Sequence, residues 1–189
     1  STPRSDMARK ASARSSCTVL LKDRLPKPPV LSKAAFMSLS AYPMDAQEAY
    51  DRILFHGPAL QGIKKINGWS EKGIEVVTRP APSPEQWIAQ PPGKAWIIEP
   101  MMLDAAFQAA ILWSVQRTGQ ACLPSFVANM RLYASFPGFK GDIRILFTVN
   151  EESENLIKGY FTFLDENNTV LASISGFEAV VDPGLKEKF

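Results

Sequence analysis

Pro100-Met-Met-Leu-Asp-Ala-Ala-Phe-Gln-Ala-Ala-Ile-Leu-Trp-Ser-Val-Gln-Arg117 decides how this chain folds. Proline in a first helical turn sacrifices no hydrogen bond, because that N–H has no partner inside a helix. Glu99, just before it, suits the positive end of the helix dipole. Gly119 stands where a helix can close in the left-handed conformation. The spacing therefore predicts a helix over about 100–117. It is apolar almost all round, so it must be buried on most sides. Its inner polar exceptions are Asp104 and Gln108.

A helix of this kind needs a sheet to wrap it. Downstream, Phe126 to Phe136, Gly141 to Val149, Leu156 to Leu164 and Val170 to Val181 read as four strands, with a turn at Asp165-Glu-Asn-Asn168. Ile143, Ile145, Phe147 and Val149 alternate onto one face. Direct succession of strands with short turns points to antiparallel pairing. Upstream, Asp45 and Glu48 stand in capping-box spacing before a short helix over 45–54. Gly57-Pro58 breaks it. A strand follows from Ile63 to a turn at Asn67-Gly68, and Gly73 to Thr78 forms another. Five prolines between Arg79 and Gly93 mark a long surface loop. The sum is an α+β fold: a curled antiparallel sheet wrapped around one long central helix. Cys17 to Leu21 is a short β-prone run that Leu25-Pro-Lys-Pro-Pro29 stops. Three parts are expected: a basic lead-in, short strand and proline-rich linker over 1–44, the domain over 45–183, and a tail over 184–189.

Length and composition narrow the function classes. A chain of 189 residues, 46% hydrophobic, suits one compact domain with a real core. Cys17 and Cys122 are too few for a disulfide framework or a thiolate zinc site. His56 is the one histidine, which excludes a His-rich metal centre within one chain. Residues 1–35 carry a net charge of +6 and the remainder −4. A basic arm can bind nucleic acid, but no aromatic residue interleaves with the charges up to Lys33, so a solvated linker is preferred and no nucleic-acid partner is expected. No uncharged apolar run reaches about 18 residues, so no membrane partner is expected. With no apolar signal core at the start, the expected location is cytoplasmic.

Two stretches carry chemistry. Asp104 and Gln108, four apart on a helix, share a face. A carboxylic acid among apolar neighbours is suited to donating a proton, and Gln108 is placed to orient it. The plainer alternative is an Asp that only favours the helix dipole, and the residues weigh the two evenly. His56 opens a His-Gly-Pro turn, for which a loop histidine is the simpler reading. Gly57 and Gly62 let backbone approach a ligand or merely turn the chain. No phosphate loop, serine elbow or metal-ligand spacing occurs.

Phe55-His-Gly-Pro-Ala-Leu-Gln-Gly-Ile63 and Pro100-Met-Met-Leu-Asp-Ala-Ala-Phe-Gln108, taken together, resemble the second, C-terminal hot-dog half of polyketide synthase and polyunsaturated fatty acid synthase dehydratase domains. Leu123-Pro124 resembles the step that follows the helix in that family. The likeness covers about residues 45–182.

The resemblance implies a hot-dog fold and removal of water from a 3-hydroxyacyl thioester. Asp104 would protonate the departing hydroxyl and Gln108 would support it, while a histidine takes the α-proton. His56, Gly57, Pro58, Gln61, Leu123 and Pro124 would line the substrate. His56 stands where the family often has tyrosine, not at the base position, so the base is expected from outside this chain. No cofactor is implied; the substrate rides on the phosphopantetheine arm of acyl carrier protein. The implied partners are acyl carrier protein and a second hot-dog half or a homodimer mate. A non-catalytic acyl-carrier-binding or structural hot-dog, and a hot-dog acyl thioesterase, are the alternatives.

Overall fold

The computed structural model describes residues 16–31, 38–91, 93–137, 139–181 and 184. The expected lead-in over 1–15 and the tail beyond 184 lie outside the described residues. In order come α1 (Ala46–Arg52), a 3-10 turn (Pro58–Leu60), β1 (Ile63–Ser70), β2 (Gly73–Thr78), α2 (Pro84–Trp87), α3 (Pro100–Thr118), β3 (Cys122–Leu132), β4 (Ile143–Glu152), β5 (Leu156–Leu164) and β6 (Val170–Val181). The six strands form one sheet in the order β1-β2-β4-β5-β6-β3, with every neighbouring pair antiparallel. The sheet packs α3 against β2, β3 and β4. This is the curled antiparallel sheet around one long helix expected from the all-round apolar helix, and the hot-dog arrangement that the resemblance implies.

The core follows from that pattern. Met101, Ala105, Ala109, Leu112 and Trp113 on α3 are fully buried. Phe147, Phe161 and Phe177 meet them from β4, β5 and β6, with Phe147 and Phe161 stacked at 4.6 Å and Phe177 edge-on to both. Each such side chain contributes about 1.5–3 kcal/mol by leaving water. Ile143, Ile145 and Phe147 alternate into this layer, whereas Leu146 turns to a second small cluster with Leu164 and Val170.

Both ends of α3 are fastened. Glu99 accepts from the Met102 N–H at 2.6 Å and from the Ala81 N–H at 2.5 Å, tying the proline-rich loop to the helix start. Burial raises the Glu99 pKa, against the opposing pull of these backbone donors. Gly119 closes the helix in the left-handed region at φ 75°, as its position predicts.

Four expectations are corrected. The turn after β1 lies at Glu71-Lys72, not at Asn67-Gly68. Gly68 instead sits inside an irregular strand pairing, and a Cβ there would meet the Ser40 carbonyl oxygen at 2.6 Å. That close approach accommodates the Ser40–Trp69 bridge. The strand expected from Phe126 runs from Cys122 to Leu132. Pro124 is tolerated because β3 is an edge strand with no second ladder to serve. Cys17 to Leu21 makes no strand pairing among the described residues and is exposed; an extended segment without a ladder partner is not a strand. Finally, the packed body begins before residue 45, since Tyr42 lies in the core and donates to the Leu112 carbonyl at 3.0 Å.

Candidate functional site

Three pieces of chain converge on the first turns of α3. The helix supplies Asp104 and Gln108. Short helix α1, capped by Asp45 accepting from the Glu48 N–H at 2.8 Å, supplies Tyr50. The turn between α1 and β1 supplies His56 and the Leu60 carbonyl. Gly62 lets this turn press onto the helix, because a Cβ there would overlap the Met101 side chain.

Gln108 is completely buried, and its amide is saturated. The Ile63 N–H can only donate, and it reaches the Tyr50 hydroxyl oxygen at 2.8 Å. The Tyr50 proton therefore points onward to Gln108 Oε1 at 2.6 Å. That fixes which way the amide faces. Its Nε2 then donates to Asp104 Oδ2 at 2.5 Å and to the Leu60 carbonyl at 2.8 Å. Burial pushes the Tyr50 hydroxyl up to about 12, so it remains a donor.

Asp104 is thus held by one oxygen and presents the other. Its side chain is 29% exposed and is reachable from outside, while that of His56 is 8% exposed. His56 Nε2 stands 3.9 Å from Asp104 Oδ1, too far for a direct hydrogen bond. The His56 ring stacks on Phe55 at 4.3 Å. Its Nδ1 is buried with no hydrogen-bond partner among the described residues. Burial lowers the His56 pKa, and the neighbouring Asp104 carboxylate works in the opposite direction.

Of the residues expected to line a substrate, Gln61 closes the turn by donating to the His56 carbonyl at 3.2 Å. Gly57 caps the 3-10 turn and Pro58 is its first residue, both exposed. Leu123 and Pro124 lie on edge strand β3 rather than on this turn. Cys122 is buried, so strand alternation turns Leu123 away from the core. Sequence reading passed over Tyr50. Its signal was an aromatic residue with a polar tip on the apolar side of a short helix.

Residues 38–181 match the family described as "Polyketide synthase dehydratase N-terminal domain". The chain belongs to that family. One component of the polyunsaturated fatty acid synthase of Thraustochytrium sp. is 31% identical over 111 residues, which are 58% of this chain and 4% of that protein. Among solved structures, the dehydratase domain of a mycocerosic acid synthase-like polyketide synthase aligns at TM-score 0.63 and 22% identity, over 88% of this chain and 59% of that one. The dehydratase domain of PpsC from Mycobacterium tuberculosis, solved with C12:1-CoA, aligns at TM-score 0.54 and 19% identity, over 74% and 52%. Those structural likenesses establish the hot-dog fold. This chain is a hot-dog domain of the polyketide synthase dehydratase type, and it spans 59% and 52% of the two solved dehydratase domains named above. No helix among the described residues is long and apolar enough to cross a membrane.

Proposed function

We propose that this domain supplies the acid for dehydration of a 3-hydroxyacyl thioester carried on acyl carrier protein. The observation that supports this is the Asp104 carboxyl group: Oδ2 is fixed by a buried amide and Oδ1 is left open. A fixed carboxyl group can protonate a leaving hydroxyl without spending binding energy on orientation. The N-terminus of α3 favours negative charge developing nearby.

In the reaction, a base takes the α-proton and those electrons form the new double bond. The Cβ–O bond breaks, and Asp104 gives its proton to the departing oxygen, which leaves as water. The base is an imidazole from a second hot-dog. This chain covers 59% and 52% of the dehydratases aligned above, which fits a two-part site. Although the matched family is described by its N-terminal domain, we place this chain as the second half. The Leu103-Asp104-Ala105-Ala106 stretch and Gln108 stand together at the start of the central helix, as that half requires.

The test is Asp104→Asn in the full-length polypeptide, assayed with a 3-hydroxyacyl N-acetylcysteamine thioester. Loss of enoyl product by on the order of 100-fold is expected. Undiminished dehydration sinks the role of Asp104, and hydrolysis without enoyl product moves the domain to the thioesterases.

A further inference from the structure

We propose that His56 is a neutral hydrogen-bond donor that holds the substrate's 3-hydroxyl against Asp104, both groups acting on the same oxygen. The inference rests on the dehydratase reading and adds a second substrate contact to it.

The distance comes first. Two polar atoms 3.9 Å apart cannot bond each other, yet one oxygen can sit within about 2.8 Å of both. His56 Nε2 and Asp104 Oδ1 therefore frame a position for a single hydroxyl oxygen. Asp104 Oδ1 is the carboxyl oxygen that Gln108 leaves open, and Gln108 in turn is anchored by Tyr50 and the Leu60 carbonyl. Those restraints hold the Asp104 side of the frame, while the Gln61 bond to the His56 carbonyl and the Phe55 stack steady the other side.

Tautomer chemistry then decides what His56 does there. A neutral imidazole carries one proton, and the nitrogen opposite a general base must itself bear a hydrogen. For Nε2 to accept a proton, Nδ1 would have to be an N–H group. Nδ1 is buried with no acceptor among the described residues, so a proton there would be an unsatisfied donor. The proton belongs on Nε2, where Asp104 Oδ1 lies opposite. A doubly protonated ring would meet the same obstacle at Nδ1, and burial lowers the His56 pKa accordingly. His56 is thereby excluded as the base and suited to donating. Tyr50, the titratable group facing the site from α1, is committed to Gln108 and does not compete.

During elimination His56 transfers no proton. Its Nε2–H bond to the 3-hydroxyl oxygen strengthens as that oxygen gains charge, Asp104 delivers the proton, and water leaves still bonded to Nε2. The base remains the imidazole of the other hot-dog half.

Two measurements test this on the full chain. The first uses a 3-hydroxyacyl pantetheine amide, which resists elimination, and the matching amide without the hydroxyl. The wild-type protein should bind the hydroxylated amide about tenfold more tightly, and His56→Phe should erase the preference. His56→Gln, which retains an N–H donor, should restore part of it. The second reads His56 by 15N NMR, which should show the neutral Nε2–H tautomer at pH 7. A preference that survives in His56→Phe, or an Nδ1–H tautomer, overturns the proposal. Neither result bears on Asp104, whose role is judged by the dehydration assay of Asp104→Asn.

Discussion

The Tyr50 hydroxyl donates to Gln108 Oε1 at 2.6 Å while accepting from the Ile63 backbone at 2.8 Å. One phenol thus joins α1, β1 and α3 and fixes the orientation of the amide that holds Asp104. Tyr50→Phe leaves a buried N–H and a buried amide oxygen unpaired. Each orphaned group costs about 1–3 kcal/mol, so a chemical denaturation midpoint should fall clearly. Gln108 becomes free to turn, and dehydration should drop further than the loss of folded protein explains.

His56 gives the fold a pH dependence whose sign is determined. The unfolded chain binds a proton at the ordinary histidine value of about 6.5, and the folded chain binds it only at lower pH. Between the two values the unfolded state holds more protons, so stability falls as pH drops below about 6.5. Above that value His56 contributes nothing to the slope. Denaturation at stepped pH should show the decline in wild type and its absence in His56→Phe.

Asp104→Asn removes the carboxylate that works against burial at His56. The histidine midpoint, followed by NMR titration, should move still lower in that variant. A midpoint that stays where it is would mean the two groups do not sense each other across 3.9 Å.

Glu99 both caps α3 and holds the proline-rich loop. Glu99→Ala removes both bonds at once. The expected loss is about 2–4 kcal/mol, since hydrogen bonds to charged groups are worth about 1.5–3 kcal/mol each and rarely add in full. Limited proteolysis should then cut between Arg79 and Ile98 earlier than in wild type.

Among the described residues, edge strand β3 leaves one side of its backbone without a ladder and exposes Phe126 and Val127. Long apolar edges are normally covered, and the other hot-dog half, which supplies the base, is the proposed occupant. Phe126→Lys should weaken association with that half, read by analytical ultracentrifugation, without lowering the melting temperature of the isolated chain.

Much of this architecture was legible because one helix constrains the rest. A segment apolar on every side has to be wrapped, and the strands after Gly119 alternate clearly enough to do it. Asp104 and Gln108 were legible as a pair because helical spacing alone puts them together. Gly68 misled, since an Asn-Gly dipeptide suits a hairpin turn and nothing local reveals that the Ser40 segment crosses there. His56 was harder still. Its approach to Asp104 depends on a turn packing across 48 residues of sequence, brought in by the close contact of Gly62 with Met101 and the Gln108 bond to the Leu60 carbonyl. Tyr50 was missed for the same reason, because its partners Gln108 and Ile63 are distant in sequence.

Gln108 reaches the 55–62 turn through the carbonyl oxygen of Leu60, not through any side chain. Every amino acid presents that oxygen. Pro58, Ala59 and Leu60 are exposed, so their side chains can drift without dislodging the acid. The turn can therefore be rewritten for a different acyl chain while the chemistry stays in place, provided that the backbone path and Gly62 are kept.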